Sequence, residues 1–258
     1  GDFDGEVLRP YNVQPDALMV NFKSVILKFK PNRKKGVAEI VAEPPMAGLK
    51  VPASIPLRKG RCGDWRTKIR ATLTQATQYR FAGRYPSSCG EQEWSVAYIE
   101  PAAYAGKALL GIWQSVGGRL TGQVTNGRVP ATAKLLYRAP SLPLRDIIMD
   151  VNKFSNNMMA QQVFLTLAMT PNQPATYDAA RQKIGQWWNR EMGNRIAAPT
   201  IDNGSGLSRD GRITADALVA LLQHAAQHPQ FIDFYDSWGI AGVAGTVSRM
   251  GREGSTPP

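Results

Sequence analysis

No stretch of the 258 residues approaches the ~18 consecutive apolar positions of a membrane-spanning helix. Cysteine and histidine each occur only twice, and neither Cys62 nor Cys89 has a second cysteine or a histidine nearby, so no local zinc site is expected. His224 and His228 are four apart but lack the intervening Glu of a zinc-protease helix; they read as surface or core histidines. The glycine-rich stretch 202–209 is not followed by Gly-Lys-Ser/Thr, so it is not a phosphate loop. No internal repeat is visible. The opening Gly1-Asp2-Phe3-Asp4-Gly5 has no apolar core of a secretory signal, and the first residue is not Met, so the chain reads as a processed or excised piece. Acidic residues are scarce, 20 against 31 Lys and Arg, for a formal charge of +11. That balance favours acidic partners: nucleic acid, anionic lipid head groups in a peripheral membrane contact, or an anionic cell-wall polymer. The basic residues read as scattered. The one tight cluster, Lys28, Lys30, Arg33, Lys34 and Lys35, fits a strand end and a hairpin tip. It lacks the interleaved aromatics of a nucleic-acid groove, and no nucleic-acid partner is expected.

What is present is an ordinary globular core, 43% hydrophobic and 9% aromatic. Residues 1–96 read as a small β-rich domain. Val25, Leu27 and Phe29 alternate with polar neighbours, and Val37–Val41 follows as the hairpin partner. Prolines at 44, 45, 52 and 56 cut the next stretch into short extended pieces, and strand signals return at Thr72–Thr74 and Thr77–Phe81. Cys62 and Cys89 both lie in turn-like contexts, which suggests one disulfide, worth roughly 3 kcal/mol on the chain-entropy model, and an oxidising compartment such as a bacterial periplasm. From residue 97 to 258 helices dominate. Pro101 suits the first turn of a helix through Trp113, ended by Gly117-Gly118. Leu120–Val124 and Ala133–Tyr137 read as short strands around an Asn126-Gly127 turn. Ser141 is placed to cap a helix carrying Leu144, Ile147, Ile148 and Val151. Another helix begins at Met158, Thr176 caps a third with Trp187 and Trp188 in its core, and a fourth starts near Thr214. Pro171–Pro174 reads as a loop, and the glycine-rich, basic end, Gly239–Gly245 and then Arg249–Pro258, as mobile.

Between two of these apolar helices lies Val151-Asn152-Lys153-Phe154-Ser155-Asn156-Asn157. Burying unpaired amides and an ammonium is expensive, so these groups should satisfy one another or face a cleft. A plain alternative is a loop with Ser155 or Asn156 as N-cap of the next helix.

Ser155-Asn156-Asn157 fits Ser-x-Asn, one of three short motifs that meet in serine acyltransferases of the penicillin-binding type, with Ser-x-x-Lys and Lys-Thr-Gly. Tyr11-Asn12, Asp16-Ala17-Leu18 and Asn21-Phe22 resemble the insert domain of the D-alanyl-D-alanine carboxypeptidase/endopeptidase family, the class C low-molecular-mass penicillin-binding proteins. Ser141-Leu-Pro-Leu-Arg-Asp-Ile-Ile followed by 151–157 resembles that family's approach to its second motif. Asp202-Asn203-Gly204-Ser205-Gly206-Leu207-Ser208-Arg209 resembles its Asp-Gly-Ser-Gly-Leu-Ser-Arg signature, with an Asn inserted or substituted. Ile240–Thr246 looks like the segment before its Lys-Thr-Gly strand.

The resemblance implies an α+β fold: part of a β-lactamase/transpeptidase-like domain at 97–258, an antiparallel sheet flanked by helices, with the β-rich insert at 1–96. It implies hydrolysis of D-Ala-D-Ala ends or of peptidoglycan cross-links through an acyl-enzyme that β-lactams mimic, with no metal or organic cofactor. Ser155 would relay a proton, Asn157 would bond the substrate backbone, and Lys153 would tune Ser155 or brace the junction. Asn156, Gly204 and Ser205 would line the substrate site, with Asp202 in a bracing role. Two motifs are not found: Ser24 has Lys28 at i+4 rather than i+3, and Lys-Thr-Gly does not occur. The expectation is a fragment whose nucleophile would precede Gly1 and whose carboxylate-binding strand would follow Pro258, on a second chain of a nicked protein or lacking altogether. Such a chain alone would be inactive. The rival expectation is a non-catalytic, basic cell-wall or scaffold-binding module on the same fold.

Overall fold

The computed structural model describes residues 3–170 and 173–249. The chain divides into two compact units, Gly1–Ala133 and Lys134–Pro258.

In the first unit the period-two pattern builds β1 (Ser24–Asn32), which turns at 33–36 into β2 (Val37–Glu43), with Phe29 opposite Ile40. Then follow β3 (Ser54–Arg58), α1 (Trp65–Ile69), the two-residue strands β4 (Ala71–Thr72), β5 (Arg80–Phe81) and β6 (Tyr85–Pro86), and β7 (Gln92–Ala97). The main sheet has the order β6-β3-β2-β1-β7, antiparallel except for the β3–β6 pair. Val25, Leu27, Phe29, Ala38 and Ile40 project from it into a core closed by Trp65, Tyr79 and Tyr85. There Phe29 stacks on Tyr85 and meets Trp65 edge-on, at centroid distances of 5.5 and 5.1 Å. The expected strands across Thr72–Thr74 and Thr77–Phe81 shrink to β4 and β5, where Ala71↔Phe81 and Thr72↔Arg80 pair, plus an isolated bridge from Gln78 to Lys50.

Ahead of β1, Asn21, Phe22 and Lys23 all take left-handed backbone conformations, φ 47°, 55° and 51°. Such a run costs of order 1–3 kcal/mol per residue and has to be held from outside. Several contacts hold it: Lys23, a residue only 6% exposed, meets Asp16 through its ammonium at 2.5 Å, its carbonyl accepts the Tyr98 amide at 3.0 Å, and Asn21 Nδ2 donates to the Glu43 carbonyl at 3.1 Å. The segment that carries part of the family resemblance is therefore a structural brace in this unit.

The helix α2 (Pro101–Ser115) forms as read from Pro101. It packs on the first unit: Tyr104 donates to the Ser24 carbonyl at 2.9 Å, and a Cβ on Gly111 would stand 2.0 Å from the Pro45 carbonyl oxygen. The compact unit thus runs to Ala133, past the change of pattern at residue 97. Three of the five basic residues of the hairpin are paired with neighbouring acids, and Arg33 and Lys34 form no ion pair among the described residues. Lys28 pairs with Glu43 and Glu93, Lys30 with Glu91, and Lys35 with Glu39. Cys62 and Cys89 form the expected disulfide.

The strands expected at Leu120–Val124 and Ala133–Tyr137 do not form. Residues 119–143 carry no regular structure, and Leu136 is 95% exposed. Alternation marks a potential strand, but a strand exists only where a partner lies alongside, and none does among the described residues.

The second unit consists of α3 (Leu144–Phe154), α4 (Asn157–Thr166), α5 (Tyr177–Glu191), α6 (Ala215–Ala226) and α7 (Phe231–Asp236). Thr176 and Thr214 cap α5 and α6 through their hydroxyls, at 3.2 Å from the Ala179 and Ala217 amides. Pro143, not Ser141, is the N-cap of α3, because the Pro143 carbonyl takes the Asp146 and Ile147 amides. Phe164, Ala168 and Ala180 form a small core with Ile184 and Ile201. Trp188 is fully buried, its indole N–H donating to the Ile196 carbonyl, while Trp187 is half-buried. The expected Pro171–Pro174 loop falls partly, and the tail past 249 wholly, outside the described residues.

Candidate active site

The junction between α3 and α4 follows from its sequence. Ser155 is the C-cap of α3, in the left-handed conformation at φ 52°, ψ 48°, an uncommon state for a residue with a Cβ. Asn156 is the N-cap of α4, its side-chain oxygen accepting the Met159 amide at 3.1 Å. Of the two cap candidates in the sequence, Asn156 is the one that caps.

Asn157 begins α4 and turns toward the glycine-rich loop. Its Nδ2 donates to the main-chain oxygen of Ser205 at 2.8 Å, joining residues 48 apart in sequence. Ser205 is buried; its hydroxyl accepts the Leu207 amide at 3.0 Å, and its own amide donates to Asn203 Oδ1 at 3.0 Å. Gly204, at φ +73°, lies so close to Phe164 that a Cβ would stand 2.7 Å from that side chain. The structure therefore brings Asn157, Gly204 and Ser205 together, with Gly204 and Ser205 turned to internal contacts.

Asp202, one residue outside that loop's tight part, is braced by α5. Arg181 donates to the Asp202 main-chain oxygen, approaches its carboxylate at 3.7 Å, and also pairs with Asp178. Burial, with a smaller contribution from the Asp202 charge, raises the pKa of the Tyr177 hydroxyl, which donates to Gln161 Oε1 at 2.9 Å.

Ser155 itself is exposed and has one side-chain neighbour that the local pattern does not reveal: Thr246 Oγ1, 3.4 Å from Ser155 Oγ, a long contact in which either hydroxyl can donate. The 240–249 segment is fixed there by Gly245. Its φ is +77°, and a Cβ on it would come within 2.8 Å of the Lys153 carbonyl oxygen. The Lys153 side chain is half-buried and makes no ion pair among the described residues. Asn152 pins α3 to α7, donating at 2.7 Å to the buried Ser237 hydroxyl, which in turn donates to the Phe234 carbonyl. Thr246 and Ser237 carry no motif; only their separation from Ser155 and Asn152 in space marks them.

His224 and His228 lie elsewhere. They line an apolar groove of about 450 Å³ among α3, α5, α6 and α7, whose walls do not include 155–157. His224 stands edge-on to Trp187, and His228, exposed, accepts the Gln230 amide through Nδ1.

Several known proteins are similar to this chain. The chain is 33% identical over 133 residues to a D-alanyl-D-alanine carboxypeptidase of Actinomadura sp. (strain R39), covering 50% of this chain and 24% of that protein. It is 29% identical over 168 residues to the D-alanyl-D-alanine carboxypeptidase DacB of Haemophilus influenzae, covering 64% of this chain and 34% of that protein. The matches thus span only a quarter to a third of those relatives' lengths. The crystal structure of penicillin binding protein 4 (dacB) from Haemophilus influenzae superposes with a TM-score of 0.66 at 20% identity, over 96% of this chain and 54% of that one. The same protein complexed with a novel β-lactam gives 0.61, over 91% and 54%. That likeness fixes the fold as α+β, of the transpeptidase-like kind. A model of the D-Ala-D-Ala carboxypeptidase 3 (S13) family matches residues 3–258, and the chain belongs to that family.

Proposed function

We propose that these residues serve a serine-type D-Ala-D-Ala carboxypeptidase or endopeptidase acting on peptidoglycan stem peptides, through an acyl-enzyme that β-lactams mimic. The observation that carries this reading is the Ser155-x-Asn157 pair at the α3–α4 junction, with Asn157 anchored on Ser205 of the glycine-rich loop. In such a reaction a serine hydroxyl adds to the carbonyl of the D-Ala-D-Ala bond, the D-alanine amine leaves with a proton, and water later releases the acyl group. Ser155, exposed and left-handed, presents its hydroxyl to relay that proton. Asn157 commits one N–H to Ser205, which leaves Oδ1 as an acceptor for an N–H of the bound peptide. Lys153, two residues before Ser155, tunes that hydroxyl or braces the junction. Asn156, Gly204 and Ser205 shape the site by positioning rather than by touching substrate, because each is occupied internally.

Neither Ser-x-x-Lys nor Lys-Thr-Gly occurs in the 258 residues, so the reading requires polypeptide besides them to supply the nucleophile and the carboxylate-binding strand. The division into an accessory β-rich part and a penicillin-binding part belongs to the same proposal. So does a periplasmic location, which the Cys62–Cys89 disulfide supports. No helix among the described residues is long and apolar enough to cross a membrane.

The test is labelling with fluorescent penicillin of the native protein isolated from its source. Covalent labelling is expected, with sharply slower acylation in Ser155→Ala. Folded protein that never labels would leave the non-catalytic wall-binding module as the better reading. An unchanged acylation rate in the variant would remove Ser155 from the mechanism.

A further inference from the structure

Most of the hairpin charges are paired, but a second and larger concentration of charge is not. The loop after β3 carries Arg58, Lys59 and Arg61; α1 and its end carry Arg66, Lys68 and Arg70; β5 and the following turn carry Arg80 and Arg84. Asp64 is the single acid between residues 58 and 84, so this stretch holds seven of the chain's eleven net positive charges.

Folding knits the three pieces into one lobe. The Cys62–Cys89 disulfide closes it, and Ser88 Oγ donates to the Gly60 carbonyl at 2.7 Å. Lys68 Nζ reaches the carbonyls of Arg61 and Cys62 at 2.8 and 2.7 Å. The turn 82–84 is stitched to the end of α1 by amides donating to the carbonyls of Arg70, Ile69 and Lys68. That approach is close enough that a Cβ on Gly83 would stand 2.0 Å from the Lys68 oxygen. All eight basic residues except Lys68 are exposed, and none forms an ion pair among the described residues.

We propose that this lobe is an electrostatic docking surface for a polymer with repeating carboxylates, the peptidoglycan of the cell wall. The choice of polymer rests on the function proposed above. The chemistry of the surface supports it independently. Six of the eight side chains are Arg, whose planar fork pairs with carboxylates through two parallel hydrogen bonds. Repeated anions along one polymer engage several of them at once, which multiplies weak contacts. A bilayer fits less well, because no large apolar side chain is exposed between Val41 and Leu109 to enter it. Single-stranded nucleic acid fits less well too. The nearby indoles are withdrawn: Trp65 is buried, and Trp94 is half-buried with the Arg66 guanidinium 5.6 Å from its ring centroid.

Pelleting of this chain with purified sacculi over a salt series tests the surface. Arg61→Glu/Arg70→Glu/Arg84→Glu is compared with an equal charge change elsewhere, Arg128→Glu/Lys134→Glu/Arg138→Glu. Binding is expected to fall about tenfold or more in the lobe variant, to stay within about twofold in the other, and to weaken steeply with salt. Equal losses in the two variants would reduce the effect to bulk charge and overturn the proposal. So would tighter binding to phosphatidylglycerol vesicles or duplex DNA than to sacculi at the same salt. Should the lobe variant not fold, wild-type protein on sacculi with amidated carboxyls decides: binding is expected to vanish, and full retention refutes the surface. Penicillin labelling of the native protein isolated from its source, not of this chain alone, separates the two readings. Labelling without sacculus binding sinks the docking surface alone, and binding without labelling sinks the enzyme reading alone.

Discussion

Asn157 is held by a main-chain atom of Ser205, not by the Ser205 side chain. The serine hydroxyl is spent on the Leu207 amide within its own loop. The two residues are therefore coupled through backbone, and their substitutions should behave differently. Asn157→Asp removes the donor and sets a carboxylate against a carbonyl oxygen. It should lower stability by about 1–3 kcal/mol, the cost of a part-buried group left unpaired. Ser205→Ala keeps the carbonyl and should cost only about 1 kcal/mol. Chemical denaturation of both variants reads the difference, and equal losses would argue against a backbone anchor.

Asn156 offers a clean separation of cap from substrate contact. Asn156→Ala should destabilise by about 1 kcal/mol, while Asn156→Asp and Asn156→Ser should hold near wild type, because each still supplies an oxygen to the Met159 amide. If penicillin labelling slows in Asn156→Asp while the melting temperature stays put, Asn156 contacts substrate after all.

The glycine-rich loop contains its own control. Gly204 and Gly206 have nearly the same backbone, φ +73° and +76°, yet only Gly204 faces Phe164. Alanine at 206 should cost about 1 kcal/mol for the left-handed backbone alone. Alanine at 204 should cost clearly more, by the collision with Phe164, and thermal melts of the pair measure that collision directly. Gly245→Ala, driven against the Lys153 carbonyl, should join the more costly class and also slow any reaction that depends on Ser155.

The Asp16–Lys23 pair predicts an acid response. Burial on its own would raise the Asp16 pKa, but the hydrogen bond and charge of Lys23, together with the Leu18 and Ala17 amides, outweigh it and leave the pKa lowered from 3.8. A depressed carboxyl contributes stability that is complete above its unfolded pKa, near 4, and is lost as pH falls through the lower folded value. Asp16→Asn should therefore flatten the stability curve below about pH 4. At neutral pH it should cost about 3 kcal/mol, since Lys23 stays buried without its partner. A variant as stable as wild type at pH 7 would show that the left-handed run 21–23 does not depend on the pair.

Much of this architecture is legible in the sequence, and the failures have a common cause. The hairpin of β1 and β2, the helix opened by Pro101, the caps at Thr176 and Thr214 and the core position of Trp188 are local decisions, written in period and capping chemistry. The α3–α4 junction is legible for the same reason, although the sequence alone leaves Ser155 and Asn156 as equal cap candidates. What is not legible depends on distant partners. The Leu120–Val124 and Ala133–Tyr137 patterns have the alternation of strands, but pairing is decided outside them. Thr246 stands 91 residues from Ser155, and nothing in either neighbourhood announces the contact. The basic lobe escapes notice in the same way, because its charges are spread over a loop, a helix and a strand until a disulfide and a glycine contact draw them together.

Gathering like charges carries a mechanical consequence. The residues of the 58–84 lobe repel one another across short distances with a single acid among them, so the bare fold is under internal pressure. The covalent tie between Cys62 and Cys89 restrains that pressure. Added salt, or a bound polyanion, relieves it. The first unit should therefore melt at a higher temperature as ionic strength rises, and the tie should matter most in dilute buffer. A surface built to be neutralised by something else is at its least stable when left alone.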